Sequence, residues 1–129
     1  MPKISIYEQI IHDQVVAARA QALGALYQVL ADPDIIKRTY QHNLYPDIIV
    51  VDHKNHVLYL EEVATENSIT EQERDKHWLG YTKLGYPFNL IVPRSTIKKT
   101  EKLINGLSIN KIYYYELNHI EIKFRQIIT

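Results

Sequence analysis

Apolar residues recur at helical intervals at the start of the chain. Over residues 4–23, Ile6, Ile10, Val16, Ala17, Ala20 and Leu23 fall near one helical face, and Gly24 is a stop signal. Leu26–Leu30 reads as a short strand, because Gly24 interrupts the run and Pro33 closes it. Tyr45–Asp52 and Val57–Ala64 are β-branched and aromatic, apolar on both faces, and separated by the polar stretch His53-Lys54-Asn55-His56. That pattern predicts a hairpin in the middle of a sheet covered on each side. The period then changes. Ser68 with Glu71, and Thr70 with Glu73, each fit a capping box for a helix whose apolar stripe is Trp78, Tyr81 and Leu84 and whose end is Gly85. Phe88–Val92 is a short strand stopped by Pro93. Ser95 is placed to cap a helix over Thr96–Ile104. Lys111–Leu117 is a strand, and Ile120, Ile122 and Phe124 alternate with Glu121, Lys123 and Arg125 in a last one. The order α-β-β-β-α-β-α-β-β predicts an α/β sandwich, a central mixed β-sheet with helices on both faces.

Composition narrows the function. With 129 residues the chain is read as one domain, 1–129. Fifteen basic residues balance fifteen acidic ones, which excludes a binder working by bulk positive charge. The absence of cysteine excludes disulfides, thiolate zinc sites, iron–sulfur clusters and a cysteine nucleophile. No apolar run approaches a membrane span, so a cytoplasmic protein with no membrane partner is expected. The glycines are scattered, with no phosphate-cradling loop and no G-x-S-x-G elbow, and the histidines lack zinc-site spacing.

The strongest chemical signal is Pro46-Asp47 at the head of one apolar strand and Glu62-Val63-Ala64 at the end of the next. If the hairpin pairs directly, Asp47 and Glu62 share one edge of the sheet. Two carboxylates held together repel unless a cation sits between them, and a hard ion such as Mg²⁺ or Mn²⁺ would resolve the conflict. Spacing alone leaves a second reading open, in which Asp47 caps a turn and Glu62 faces solvent.

A helix bearing Glu8, PD on a strand, a hairpin, and E-V-x on the next strand resemble the PD-(D/E)XK nucleases. W-x-x-Y in a helix followed by F-x-L-I-V-P resembles that superfamily's continuation. The resemblance implies a restriction-endonuclease-like three-layer sandwich and metal-dependent hydrolysis of DNA, with DNA preferred to RNA. It matches Asp47 and Glu62 to the motif acids and adds the Val63 carbonyl as a third ligand. Glu8 then stands where members carry a helix-borne acid. Mg²⁺ or Mn²⁺ is the implied cofactor, and a homodimer is the implied assembly. The chain departs from the motif at its lysine, which is Ala64 here. Three readings follow. Gln72, Lys76 or Lys83 on the next helix substitutes for it; Glu66 supplies a further carboxylate; or the domain binds nucleic acid or a protein partner without cleaving. His12, one turn after Glu8, can point at the same site.

Other residues have plainer readings. Trp78 and Tyr81 are expected in the core. Tyr113-Tyr114-Tyr115 suits a half-buried strand as well as base stacking. Arg94, Lys98, Lys99 and Lys102 form a positive cluster that either tracks phosphates or is simply a solvated helix face, and Lys37-Arg38 is a weaker version of it.

Overall fold

The computed structural model describes residues 5–33, 36, 44–117 and 122–127. Helix α1 runs Ile6–Gly24. Ser5 is its N-cap, and the Ser5 hydroxyl accepts the Glu8 N–H. Its buried stripe is Val15, Arg19 and Leu23, four residues apart; of the face that hydrophobicity picked out, Leu23 is buried and Val16 packs at the margin of the core. Ile6 and Ile10 point outward, 82% and 51% exposed, and Ala17 is also exposed. The reason is electrostatic: the sheet beneath α1 carries a buried glutamate, so the helix turns an arginine toward it.

Six strands follow: β1 (Gln28–Leu30), β2 (Ile48–Val51), β3 (Val57–Val63), β4 (Phe88–Pro93), β5 (Lys111–Leu117) and β6 (Ile122–Gln126). They lie in the sheet in the order of the chain. β1, β2 and β3 are antiparallel, β3, β4 and β5 are parallel, and β6 returns antiparallel. Every residue of β2 and β4 is buried, as expected of strands covered on both faces. Burying each such Val, Ile or Leu contributes about 1.5–3 kcal/mol. The β2–β3 turn is closed by Asp52, whose Oδ1 accepts the Lys54 and His56 N–H groups at 2.8 and 2.9 Å, with Asn55 in the left-handed region at φ 64°.

Helix α2 covers 71–82 in three pieces: Glu71–Glu73, a wide π-helical stretch Arg74–Trp78, and Leu79–Thr82. Thr70 caps it by accepting the Glu73 N–H, as expected. Ser68 does not cap a helix. Its hydroxyl instead accepts the Thr65 N–H in a tight turn, Glu66–Ser68. Ser95 likewise lies in the turn Arg94–Thr96 and donates to Glu66, so α3 begins later, at Ile97, and runs to Leu103.

The sheet is covered on both faces. Under α1, Val15 packs with Val63, Ile91 and Tyr115, and Leu23 packs with Ile48 and Val50. On the other face Trp78, Tyr81 and Ile69 meet Ile49, Val51, Leu60, Ala64, Phe88, Leu90, Val92 and Ile112, with Leu103 and Ile104 at the margin. Trp78 and Tyr81 are core residues, 0% and 1% exposed. Among the described residues, no helix is long and apolar enough to cross a membrane.

Candidate functional site

Strand alternation gives adjacent glutamates opposite environments. Glu61 faces α1. It is 0% exposed and takes a bidentate pair from Arg19, Nε to Oε1 and Nη2 to Oε2, both at 2.9 Å. Asn89 Nδ2 donates to Oε2 at 3.0 Å, and the Arg19 guanidinium lies 4.2 Å from the centre of the Tyr113 ring. This carboxylate is satisfied and sealed.

Glu62 faces α2 and meets Asp47 across the β2–β3 pair, one position beyond Ile48 opposite Glu61. The Asp47 N–H donates to Glu62 Oε1 at 2.9 Å, and the Val63 N–H donates to Asp47 Oδ2 at 2.8 Å. The reciprocal bonds lock the two acids side by side. Arg19, the arginine of the facing helix, is committed to Glu61 and not to this pair. Burial first, and then the Asp47 charge, push Glu62 well above the usual carboxylate range.

Two elements flank the pair. From α1, His12 Nε2 lies 3.1 Å from Asp47 Oδ2, and Nδ1 lies 3.1 Å from Asp13 Oδ1. Burial lowers the His12 pKa, but the hydrogen bond and charge of Asp47, with help from Asp13, outweigh it and raise it to about 9. His12 is therefore an imidazolium at neutral pH, and with Asp47 it lines a cavity of about 360 Å³. From α2, the Tyr81 hydroxyl donates to Glu62 Oε2 at 3.3 Å. The His77 ring stacks on Tyr81, and His77 Nδ1 lies 2.7 Å from Glu73 Oε1. Burial, then the Glu62 and Asp47 charges, hold Tyr81 far above the ordinary phenol range.

The other candidates lie around this centre. Glu8 sits one turn before His12, its carboxylate accepting from Thr65 Oγ1 at 2.8 Å and from Asn67 Nδ2. It faces a cleft of about 600 Å³ at the carboxyl ends of β3, β4 and β5, which Glu66 also lines. Gln72, Lys76 and Lys83 are exposed on α2 or at its end. Ala64 is buried, and its carbonyl accepts the Tyr115 hydroxyl at 2.9 Å. Of the positive cluster, Arg94 pairs with Glu116 at 2.8 Å, while Lys98, Lys99 and Lys102 are exposed on α3. Lys37-Arg38 and Ile120 lie outside the described residues.

The structure brings Asp47, Glu62 and His12 together, and adds Glu73, His77 and Tyr81, which the sequence reading did not single out as one group. Their four-residue spacing is the signal that was available. Among the described residues, no three His, Asp or Glu side chains gather into one metal-ligating group. Two carboxylates, however, are the usual protein contribution to a magnesium site, the rest being water and phosphate oxygens. Compared with protein-family models, curated proteins and solved structures, the chain matches none of them.

Proposed function

We propose that this chain is a nuclease-like protein of the PD-(D/E)XK, restriction-endonuclease-like class that hydrolyses DNA phosphodiester bonds with Mg²⁺ or Mn²⁺. One observation carries the reading: reciprocal backbone-to-carboxylate bonds hold Asp47 and Glu62 together at the rim of β2 and β3, where burial and the Asp47 charge push the Glu62 pKa well above the usual carboxylate range, a conflict that a divalent cation relieves. The donor set is hard oxygen, which suits these ions. Asp47 and Glu62 would hold the ion, with the Val63 carbonyl as a third protein oxygen. When bound, the dication neutralises charge on the scissile phosphate and acidifies water in the site. Glu8, held by Thr65 and Asn67 one turn before His12, would orient water or a second ion. His12 adds a positive charge beside Asp47 and offsets part of the negative field that the two acids present to a polyanion.

A second reading, a nuclease-fold domain that binds without cutting, is favoured by one feature. Ala64 offers no amine at the motif's lysine position and is 2% exposed.

Calorimetric titration with Mn²⁺ tests the site. Binding is expected in the parent and not in Asp47→Asn or Glu62→Gln. Equal heats in parent and variants would overturn the assignment. Incubation with plasmid, single-stranded and branched DNA then separates the readings: Mn²⁺-dependent cleavage lost in Asp47→Asn supports hydrolysis, and retention of DNA without cleavage supports the second.

A further inference from the structure

Glu62 is an unusual candidate ligand because both of its oxygens are already oriented by protein donors. The Asp47 N–H holds Oε1 and the Tyr81 O–H holds Oε2. A carboxylate has about four lone-pair sites, so these bonds fix its plane and leave acceptor capacity on each oxygen. The Asp47 bond comes from the neighbouring strand segment, a backbone N–H one residue before β2. The Tyr81 bond comes from another layer of the fold and needs its own support.

That support is built into α2. In a regular α-helix, residues four apart overshoot a full turn by about 40°, so Glu73, His77 and Tyr81 would wind off the Glu62 face. Here the Leu79 N–H bonds to the Arg74 carbonyl, five residues back. The wider turn makes residues four apart fall short of a full turn instead, which offsets the drift. The ladder Glu73–His77–Tyr81 then runs in line toward Glu62: carboxylate to imidazole at 2.7 Å, imidazole stacked on phenol at a 22° interplanar angle, phenol to carboxylate. A π-helical turn spends regular hydrogen bonding, and such turns concentrate at functional sites. Glu73 and Tyr81 are both buried, so the ladder is not a surface accident. Ala64, the small residue at the motif's lysine position, is buried in the same core cluster as Tyr81.

We infer that Tyr81 is a positioning residue for the candidate cation site, aiming Glu62 through its hydroxyl, and that Glu73 and His77 hold Tyr81 in place. This rests on the reading of Asp47 and Glu62 as cation ligands. It adds that the donor work next to the second motif acid is done from α2 by a phenol.

The test compares Mn²⁺ affinity by calorimetry in the parent, Asp47→Asn, Tyr81→Phe and Glu73→Gln, with thermal melts of each. Phenylalanine keeps the ring and removes only the hydroxyl, so the fold is expected to hold. The expected result is a loss of Mn²⁺ affinity of about 10-fold or more in Tyr81→Phe, the scale of other outer-shell partners, and a smaller loss in Glu73→Gln. A merely structural Tyr81 would move the melt and leave the affinity where it was. Should Tyr81→Phe fail to fold, Glu73→Gln carries the test: unchanged affinity there overturns the inference. If the parent binds and Asp47→Asn does not, but Tyr81→Phe binds like the parent, the positioning role falls and the cation site stands. If the parent itself takes up no Mn²⁺, both fall.

Discussion

Glu61 and Glu62 are neighbours in the chain with opposite fates, and their glutamine variants are predicted to behave oppositely. Glu61→Gln leaves the Arg19 guanidinium without its counter-ion in a place where the arginine side chain is 9% exposed. Glutamine has one oxygen, so it accepts only one of the two guanidinium bonds and sets an NH₂ against the other, and the Asn89 donor loses an anionic acceptor. Breaking a buried pair from one side costs about 3–5 kcal/mol. That is a large part of the 5–15 kcal/mol that holds a typical domain together. At about 2.1 cal/mol/K per residue, a chain of 129 residues has an unfolding entropy of about 0.27 kcal/mol/K, so the melting temperature falls by about 11–18 °C. Glu62→Gln removes a charge that burial and Asp47 already penalise, and in metal-free buffer it is expected to melt at or above the parent temperature. The assay is thermal denaturation followed by circular dichroism, with chelator present. The double variant Arg19→Met/Glu61→Leu serves as control: removing both charges is expected to cost less than Glu61→Gln alone. A Glu61→Gln melt within 3 °C of the parent, or a Glu62→Gln melt below that of Glu61→Gln, would refute the assignment of the two faces.

Two further outcomes follow from single groups. The His12 pKa, raised from 6.5 to about 9, means that the folded state binds its proton more tightly than the unfolded chain. The gain is complete below pH 6.5, fades as pH rises, and is gone above about 9; it is worth about 3 kcal/mol. Denaturant titrations between those limits in metal-free buffer should show the parent losing that much more stability than His12→Gln, and parallel curves would contradict it. Thr100 is fully buried with no partner for its Oγ1 among the described residues. Thr100→Val keeps the shape and removes the orphan hydroxyl, and it should raise stability by about 1 kcal/mol, or about 3–5 °C by calorimetry; a lower melting temperature would mean that the hydroxyl has a partner.

The legible parts of this protein are those where one physical rule acts alone. β2 is a run of Ile and Val, and β4 is mostly Phe, Leu, Ile and Val around Asn89, with every residue of both buried, and such runs have few alternatives to a central strand. The closeness of Asp47 and Glu62 followed from hairpin pairing. The α1 face was misjudged because counting apolar positions cannot foresee that Arg19 goes inward. Its reason to do so, Glu61, lies 42 residues away and on the hidden face of β3. Glu73, His77 and Tyr81 escaped notice for a different reason. An α-helical wheel lets them drift by about 40° at each step, and the five-residue bond at Arg74 straightens the row. Gln72 and Lys76, chosen as substitutes for the absent lysine, sit on the outward side of that same helix.

The sheet lists its strands in the order the ribosome makes them. Each new strand therefore finds its partner already in place, and no gap is held open for a segment still to be synthesised. Assembly can proceed vectorially, one edge at a time. The β2–β3 hairpin, with α1 docked through His12 and Arg19, is complete by Val63. The face bearing Glu62 stays open until α2 arrives.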